Sequence, residues 1–208
     1  MQEGTGRNST LETVRGMRFF SSYLSPYFVT DPEKMVVEYK NVRVLVTDAK
    51  LAGANQLMPV VQECAAKGEP LLVVAGEVQD QALALLVVNK VQGQRPFCAI
   101  RAPFFGERRK DVLQDLCALT GATFVTGAAA VRPENVKPEM LGMAESIRID
   151  RDETTILGFA ENRGDVLEQR IAHAKAAIEA ADNDDERQFQ RARLAGLAGG
   201  LGQANCLL

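Results

Sequence analysis

Between residues 42 and 125 short apolar runs alternate with longer helical stretches, and this rhythm restricts the fold more than any other feature. LLVVA (71–75) is a continuous apolar run of strand length and VRVLV (42–46) is apolar apart from Arg43; both read as buried strands. FCAIR (97–101) reads as a third strand and TFV (123–125) as a short fourth. Helices are expected at 56–67, 79–92 and 106–119. Asn55 stands at a cap position, Pro59 is tolerated in a first turn, and Gly68, Gly93 and Gly121 follow the three ends. Strands that alternate with helices pair in parallel through right-handed crossovers. The expected fold class is therefore α/β, with a compact βαβ core.

The flanks are different in character. Residues 1–10 are polar and read as an arm, and 11–17 as a short extended piece. Residues 17–34 gather Phe19, Phe20, Tyr23, Tyr27 and Phe28 around Pro26 and Pro32, which disfavour both a long helix and a central strand. Such a segment either folds its rings into the core or presents Tyr and Phe outward as anchors. After a proline-containing loop at 127–138, one or two helical turns are expected at 139–144, then short strands at 146–149 and 154–157. The chain closes with two helices. Asp165 and Glu168 resemble a capping box, and Leu167, Ile171, Ala174 and Ile178 form one apolar stripe. His173 lies off that stripe and reads as solvent-facing. A turn at 183–185 and a helix at 186–198 complete an antiparallel helix hairpin.

Composition excludes several function classes. Of 208 residues 46% are hydrophobic and 25% charged, enough apolar material for a sizeable core. The net charge of −3 does not suggest a nucleic-acid or membrane surface. Cys64, Cys98, Cys117 and Cys206 are scattered, without the CxxC spacing of a zinc site or redox dithiol. Cys64, Cys98 and Cys117 lie in apolar settings and read as core residues or free thiols, and a reducing compartment is expected. The opening decapeptide is polar, unlike a signal peptide, and no apolar run reaches the ~18 residues of a membrane helix.

Within the core, QDQALALLVVN (79–89) is too apolar for an ordinary amphipathic helix. At about 100° per residue Leu83 and Val87 fall on one side, Ala82, Leu85 and Asn89 on the other, with Leu86 and Val88 between. If the Leu85 side is buried, Leu83, Val87 and part of Val88 face water, each forgoing roughly 1.5–3 kcal/mol of burial. Two readings stand at this point. The run is buried on both sides, as helix or strand, or it exposes an apolar face that marks a partner site.

Tests for catalysis come out negative. The loop after the first strand, TDAKLAGAN (47–55), has one glycine, and neither it nor 76–78 matches GxGxxG; no Walker sequence, GxSxG elbow or HExxH is present. His173 is the single histidine available to a Ser-His or Cys-His pair. Asp48, at a strand end, reads as structural. GERRKD (106–111) reads as a solvated first turn, because Arg and Lys there oppose the helix dipole.

Several segments resemble a known family. YLSPYF (23–28), PLLVVA (70–75), ALALLVVNK (82–90), GERRKDVLQDLCALTGAT (106–123), DETTI (152–156) and LAGLAGG (194–200) resemble the apical domain of group I chaperonins, the GroEL type, in order and nearly gapless from about 13 to 200. TDPEKMVVEY (30–39) looks most like plastid-type subunits. The resemblance implies an arm from the intermediate-domain junction at 1–16, an apical polypeptide-binding domain at 17–200 and a divergent tail at 201–208. In that family the apical domain binds non-native polypeptide and the co-chaperonin mobile loop on one apolar groove, in support of ATP-dependent folding by the full-length ring. The positions matching the groove are Tyr23, Ser25, Tyr27, Phe28, Met58, Val61, Leu83, Val87, Val88 and Asn89. The implied partners are unfolded polypeptides, the co-chaperonin and other subunits, with no nucleic acid and no membrane. The implied compartment is the plastid stroma or bacterial cytoplasm, ahead of the mitochondrial matrix. ATP and Mg²⁺ belong to the equatorial domain of the full-length family, so no cofactor and no ATPase activity are expected of this chain.

The sequence also departs from the family. Phe20, Ser21 and Ser22 replace an acid-Arg-Gly triplet, which removes a subunit-contact charge. The family's APGFG is APFFG here, and Phe104 stands where a glycine would supply a positive φ. The tail at 201–208 does not look like the family's return strand. These departures motivate an alternative of another class: a free-standing α/β enzyme or small-ligand protein, with a pocket at the strand carboxyl ends near Asp48 and Gly76.

Overall fold

The computed structural model describes residues 16–126, 135–158 and 164–199. The arm at 1–10, the start of the loop after 126, Cys206 and the tail at 201–208 lie outside the described residues.

A mixed α/β architecture is built on one six-stranded sheet. Its strands are β1 (Gly16–Phe20), β2 (Val37–Val46), β4 (Leu71–Ala75), β6 (Phe97–Arg101), β7 (Gly142–Ile149) and β8 (Glu153–Gly158), in the spatial order β1-β8-β7-β2-β4-β6. The βα rhythm sets one half of it: β2, β4 and β6 run parallel, with Val44 beside Leu72 and Leu72 beside Cys98. β4 is buried at every position, as its unbroken apolar sequence requires. The other half is antiparallel, with β7 pairing β2 on one side and β8 on the other, and β1 beyond β8. Two further short strands, β3 (Lys50–Leu51) and β5 (Glu77–Val78), pair in parallel beside the sheet.

Both edges of the large sheet are tied together by the aromatic segment. After β1 ends at Phe20, Tyr23 already bridges Ile100 of β6, Leu24 N–H donates to the Ala99 carbonyl at 2.9 Å, and the Ser21 hydroxyl donates to the Arg101 carbonyl at 2.6 Å. Three residues span at most ~11 Å. The sheet therefore curls until β1 and β6 are near neighbours, and the outer edge of β6 is covered rather than left open to pair with another chain.

Among the described residues five α-helices flank this sheet: α1 (Met58–Lys67), α2 (Asp80–Val91), α3 (Gly106–Thr120), α4 (Gly164–Ala180) and α5 (Asp184–Ala198). Right-handed crossovers through strands added in one direction place α1 and α2 on the same face. α3, α4 and α5 contact one another, α3 touches β7 and β8, and α5 lies against β1. The end signals work where glycine follows: Gly68 and Gly121 are left-handed caps at φ 70° and 80°. Asn183 caps α5 by accepting from Glu186 N–H at 2.7 Å.

Several expectations are corrected. Asn55 does not cap α1; it lies in a 3-10 turn, Ala54–Gln56, and the helix starts after Leu57 with no side-chain cap. The Gln56 side chain instead accepts from the N–H groups of Ala52 and Gly53, both at 3.0 Å. α2 ends without a left-handed Gly93; Gln94 takes the positive φ, and Arg95 N–H closes the turn onto the Asn89 carbonyl. The expected strand at 123–125 is a single bridge from Val125 to Thr47. The helical turns expected at 139–144 shrink to a 3-10 turn, Pro138–Met140, because β7 already begins at Gly142. Asp165 lies inside the first turn of α4.

GERRKD is a docking seam and only in part a solvated turn. Lys110 pairs with Glu107 in solvent, but Arg108 reaches Asp185 at 2.5 Å and Glu186 at 2.7 Å on α5. One turn further, Asp111 and Asp115 of α3 meet Arg170 of α4 and Arg193 of α5. Phe104 adopts φ 60°, a left-handed conformation that favours glycine, so the turn carries a strained phenylalanine. Its ring meets Phe189 edge-on, with centroids 5.1 Å apart.

Candidate functional site

The apolar run at 79–89 forms α2, and its rotation on the sheet decides which residues face out. α2 packs on β6 and touches two 3-10 turns, Pro26–Phe28 and Ala54–Gln56. Ala82 and Leu86 are its fully buried positions. Leu86, not Leu85, is therefore the centre of the inward face, a rotation of about 100° from the orientation considered above. The exposed stripe becomes Gln81, Ala84, Val88 and Val91, with Val88 47% and Val91 53% exposed. Leu83 and Val87 lie on the flank of that stripe, half-buried and packed against the core. They present edges to solvent, not whole side chains.

The turn Pro26–Phe28 supplies the second part. Ser25 precedes it in extended backbone, and its hydroxyl accepts from Tyr27 N–H at 3.4 Å. Pro26 sets φ for the first position. The turn then sends consecutive rings in opposite directions: Phe28 is fully buried and Tyr27 is 64% exposed. This turn contacts α2, so the exposed Tyr27 is carried by an element adjoining that helix. Both readings of the aromatic segment hold in part, with Phe19 and Phe28 in the core and Tyr27 outside.

The remaining candidates divide. Tyr23 is half-buried against the core and its hydroxyl donates to the Met35 carbonyl at 3.5 Å. Ser25 is buried and serves the turn. Met58 is half-buried at the start of α1. Val61, expected to form an apolar floor, is only 2% exposed because it shares the inward face of α1 with Val60 and Cys64. Asn89, expected at the rim, turns its amide back to donate to the Leu85 carbonyl at 2.8 Å. The structure thus leaves Tyr27, Leu83, Val87 and Val88 at least partly at the surface, on α2 and the turn that contacts it, and buries Phe28, Ser25 and Val61.

Sequence reasoning missed Ala84 and Val91. The spacing of 81, 84, 88 and 91 was readable, but the helix rotation that exposes it was not. It also missed the C-terminal turn of α2, where Lys90 Nζ donates to the Tyr39 hydroxyl at 2.9 Å and sits 5.4 Å from the ring centroid. Burial pulls the Lys90 ammonium below its ordinary value and pushes the Tyr39 phenol above its own. Phe105, 75% exposed beneath the Arg109 guanidinium, is a further outward ring that no motif had singled out as a site residue.

The strand carboxyl ends offer little room. Asp48 accepts from the Thr126 hydroxyl at 3.1 Å. Gly76 packs so closely on the Asp48 carbonyl that an added Cβ would collide with its oxygen. A nearby cavity of about 130 Å³, lined by Leu24, Glu77, Val78, Gln79 and Arg101, is smaller than the ~300 Å³ at which small-molecule sites begin. His173 is exposed on α4. Burial raises the thiols of Cys64, to about 11, and Cys98, holding both protonated. Among the described residues no group of His, Cys, Asp and Glu has the arrangement of a metal site, and no helix is long and apolar enough to cross a membrane. No protein-family model matches the chain.

Proposed function

We propose that the chain is the apical domain of a group I chaperonin subunit, which holds non-native polypeptide and the co-chaperonin mobile loop on the face formed by α2 and the Pro26–Phe28 turn. The observation that carries this reading is that α2 keeps Val88 and Val91 exposed along one stripe while the Pro26–Phe28 turn, which contacts α2, exposes Tyr27. Val88 and Val91 are each about half exposed, so each forgoes roughly 1 kcal/mol of burial, and an apolar surface kept at that cost supports a partner site. The resemblance of the segments from 23 to 200 supplies the identity of the partner. The βα loops hold no glycine-rich phosphate cradle. On this reading ATP and Mg²⁺ act elsewhere in the full-length subunit, and the chain itself catalyses nothing.

A single domain lacks the avidity of a ring, so it should suppress aggregation of an unfolded protein weakly and without ATP. One extended mobile-loop peptide should bind in the micromolar range or weaker, because it loses entropy on ordering. Amide shifts followed during a peptide titration test the reading. Shifts confined to Tyr27, Met58 and residues 83–91 support it. Saturable binding elsewhere, or none at millimolar peptide, refutes it.

A further inference from the structure

Lys90 is the one basic side chain of α2, whose other charged residue is Asp80 at the opposite end. It follows Leu86 and Val87 by one turn, so an unrestrained ammonium would reach the flank occupied by Leu83 and Val87. The structure keeps it elsewhere. Nζ donates to the Tyr39 hydroxyl at 2.9 Å and lies 5.4 Å from the ring centroid of the same residue. Tyr39 belongs to β2, in the part that pairs with β7, so the contact ties the last turn of α2 across the sheet to a strand it does not follow. The next residue, Val91, is exposed, and the Asn89 amide is turned back to Leu85. The end of the apolar face therefore carries no free charge from α2.

We infer that Tyr39 is a specificity-determining positioning residue for this face: its hydroxyl and ring hold the Lys90 ammonium away from the Leu83–Val87 flank, so that occupants are selected by apolarity and not by charge. The inference rests on the polypeptide-binding reading above. Without the restraint an ammonium at the rim would favour segments whose apolar stretch is followed by carboxylates and would disfavour those followed by cations. One exposed charge interaction changes an affinity by about 1.5- to 5-fold. With several charges in the flanking segment, the ratio of affinities for the two kinds of segment should move by about 3- to 10-fold.

The test uses two synthetic peptides with the same aliphatic triplet, one followed by three glutamates and one by three lysines, titrated at low ionic strength. Tyr39→Phe keeps the ring and removes the hydroxyl. Its acidic-to-basic affinity ratio should rise several-fold over the parent protein, and adding Lys90→Met should return the ratio to the parent value. A merely structural role for Tyr39 would weaken both peptides together and leave the ratio unchanged, which overturns the inference. A ratio that stays high in the double variant also overturns it, since the charge would then come from another residue. If the parent protein binds neither peptide, the polypeptide-binding reading itself has failed and this inference falls with it.

Discussion

Asp115→Ala should be the most damaging single substitution on the hairpin side of the molecule. Asp115 and Arg193 are both fully buried. The carboxylate accepts from Arg193 twice, at 2.6 and 3.0 Å, and from Arg170 at 2.6 Å. Asp111 adds a second carboxylate, 2.8 Å from Arg193 and 3.1 Å from Arg170. The cluster of two arginines and two aspartates is neutral. Removing Asp115 leaves two guanidinium groups on one carboxylate, with Arg193 still out of water. Breaking one partner of a buried pair costs about 3–5 kcal/mol, mostly the penalty of the stranded charge. For a chain of 208 residues that corresponds to a fall in Tm of about 6–20 °C. Urea unfolding by circular dichroism gives the free energy, and amide exchange should show α4 and α5 losing protection first. Adding Arg193→Met to Asp115→Ala restores neutrality with Asp111 and Arg170 still paired, so the double variant should be less damaged than the two singles summed. A loss below about 1 kcal/mol for Asp115→Ala would show that water reaches the cluster, and the reasoning from burial would fail.

Three other outcomes follow from the same structure. At position 104 glycine removes left-handed strain of about 1–2 kcal/mol that alanine keeps, while both lose the Phe189 contact; Phe104→Gly should therefore unfold at higher urea than Phe104→Ala, and the reverse order would contradict the strain at φ 60°. Burial lifts the Cys64 thiol from 9.0 to about 11, so the folded chain keeps a proton that the unfolded chain loses. Relative to Cys64→Ala, the parent should hold its full thiol contribution below about pH 9 and lose it as pH approaches about 11; parallel stability profiles would exclude the shift. Val88→Glu should abolish aggregation suppression with little change in thermal midpoint, whereas Val61→Glu, buried on α1, should unfold the domain; equal midpoints for the two would refute the burial assignment.

Strand and helix identities between 42 and 121 were legible because each depends on local pattern: apolar runs through β4, through 44–46 of β2 and through 97–100 of β6, and glycine after α1 and α3. The antiparallel half was less so. Residues 139–144 carry helix-forming side chains, yet pairing with β2 takes them from Gly142 onward into β7, a case of tertiary contact overriding propensity. Asn55 has the chemistry of a cap, but the preceding turn satisfies its N–H groups through Gln56 instead.

The candidate site divides along the same line. That α2 is too apolar to be an ordinary surface helix was determined by the sequence alone, since composition does not depend on orientation. So was the proline-bounded turn that carries Tyr27. Which of Leu83, Val87, Val88 and Val91 meets water was decided only when β6 and the two 3-10 turns set the rotation of α2, because a helix with apolar residues all round has no preferred face of its own. The contact between Lys90 and Tyr39, and the charge cluster of α3, α4 and α5, join residues 51 or more positions apart. No local pattern encodes such pairs; they exist because the curled sheet and the helix hairpin bring distant side chains into the same desolvated space.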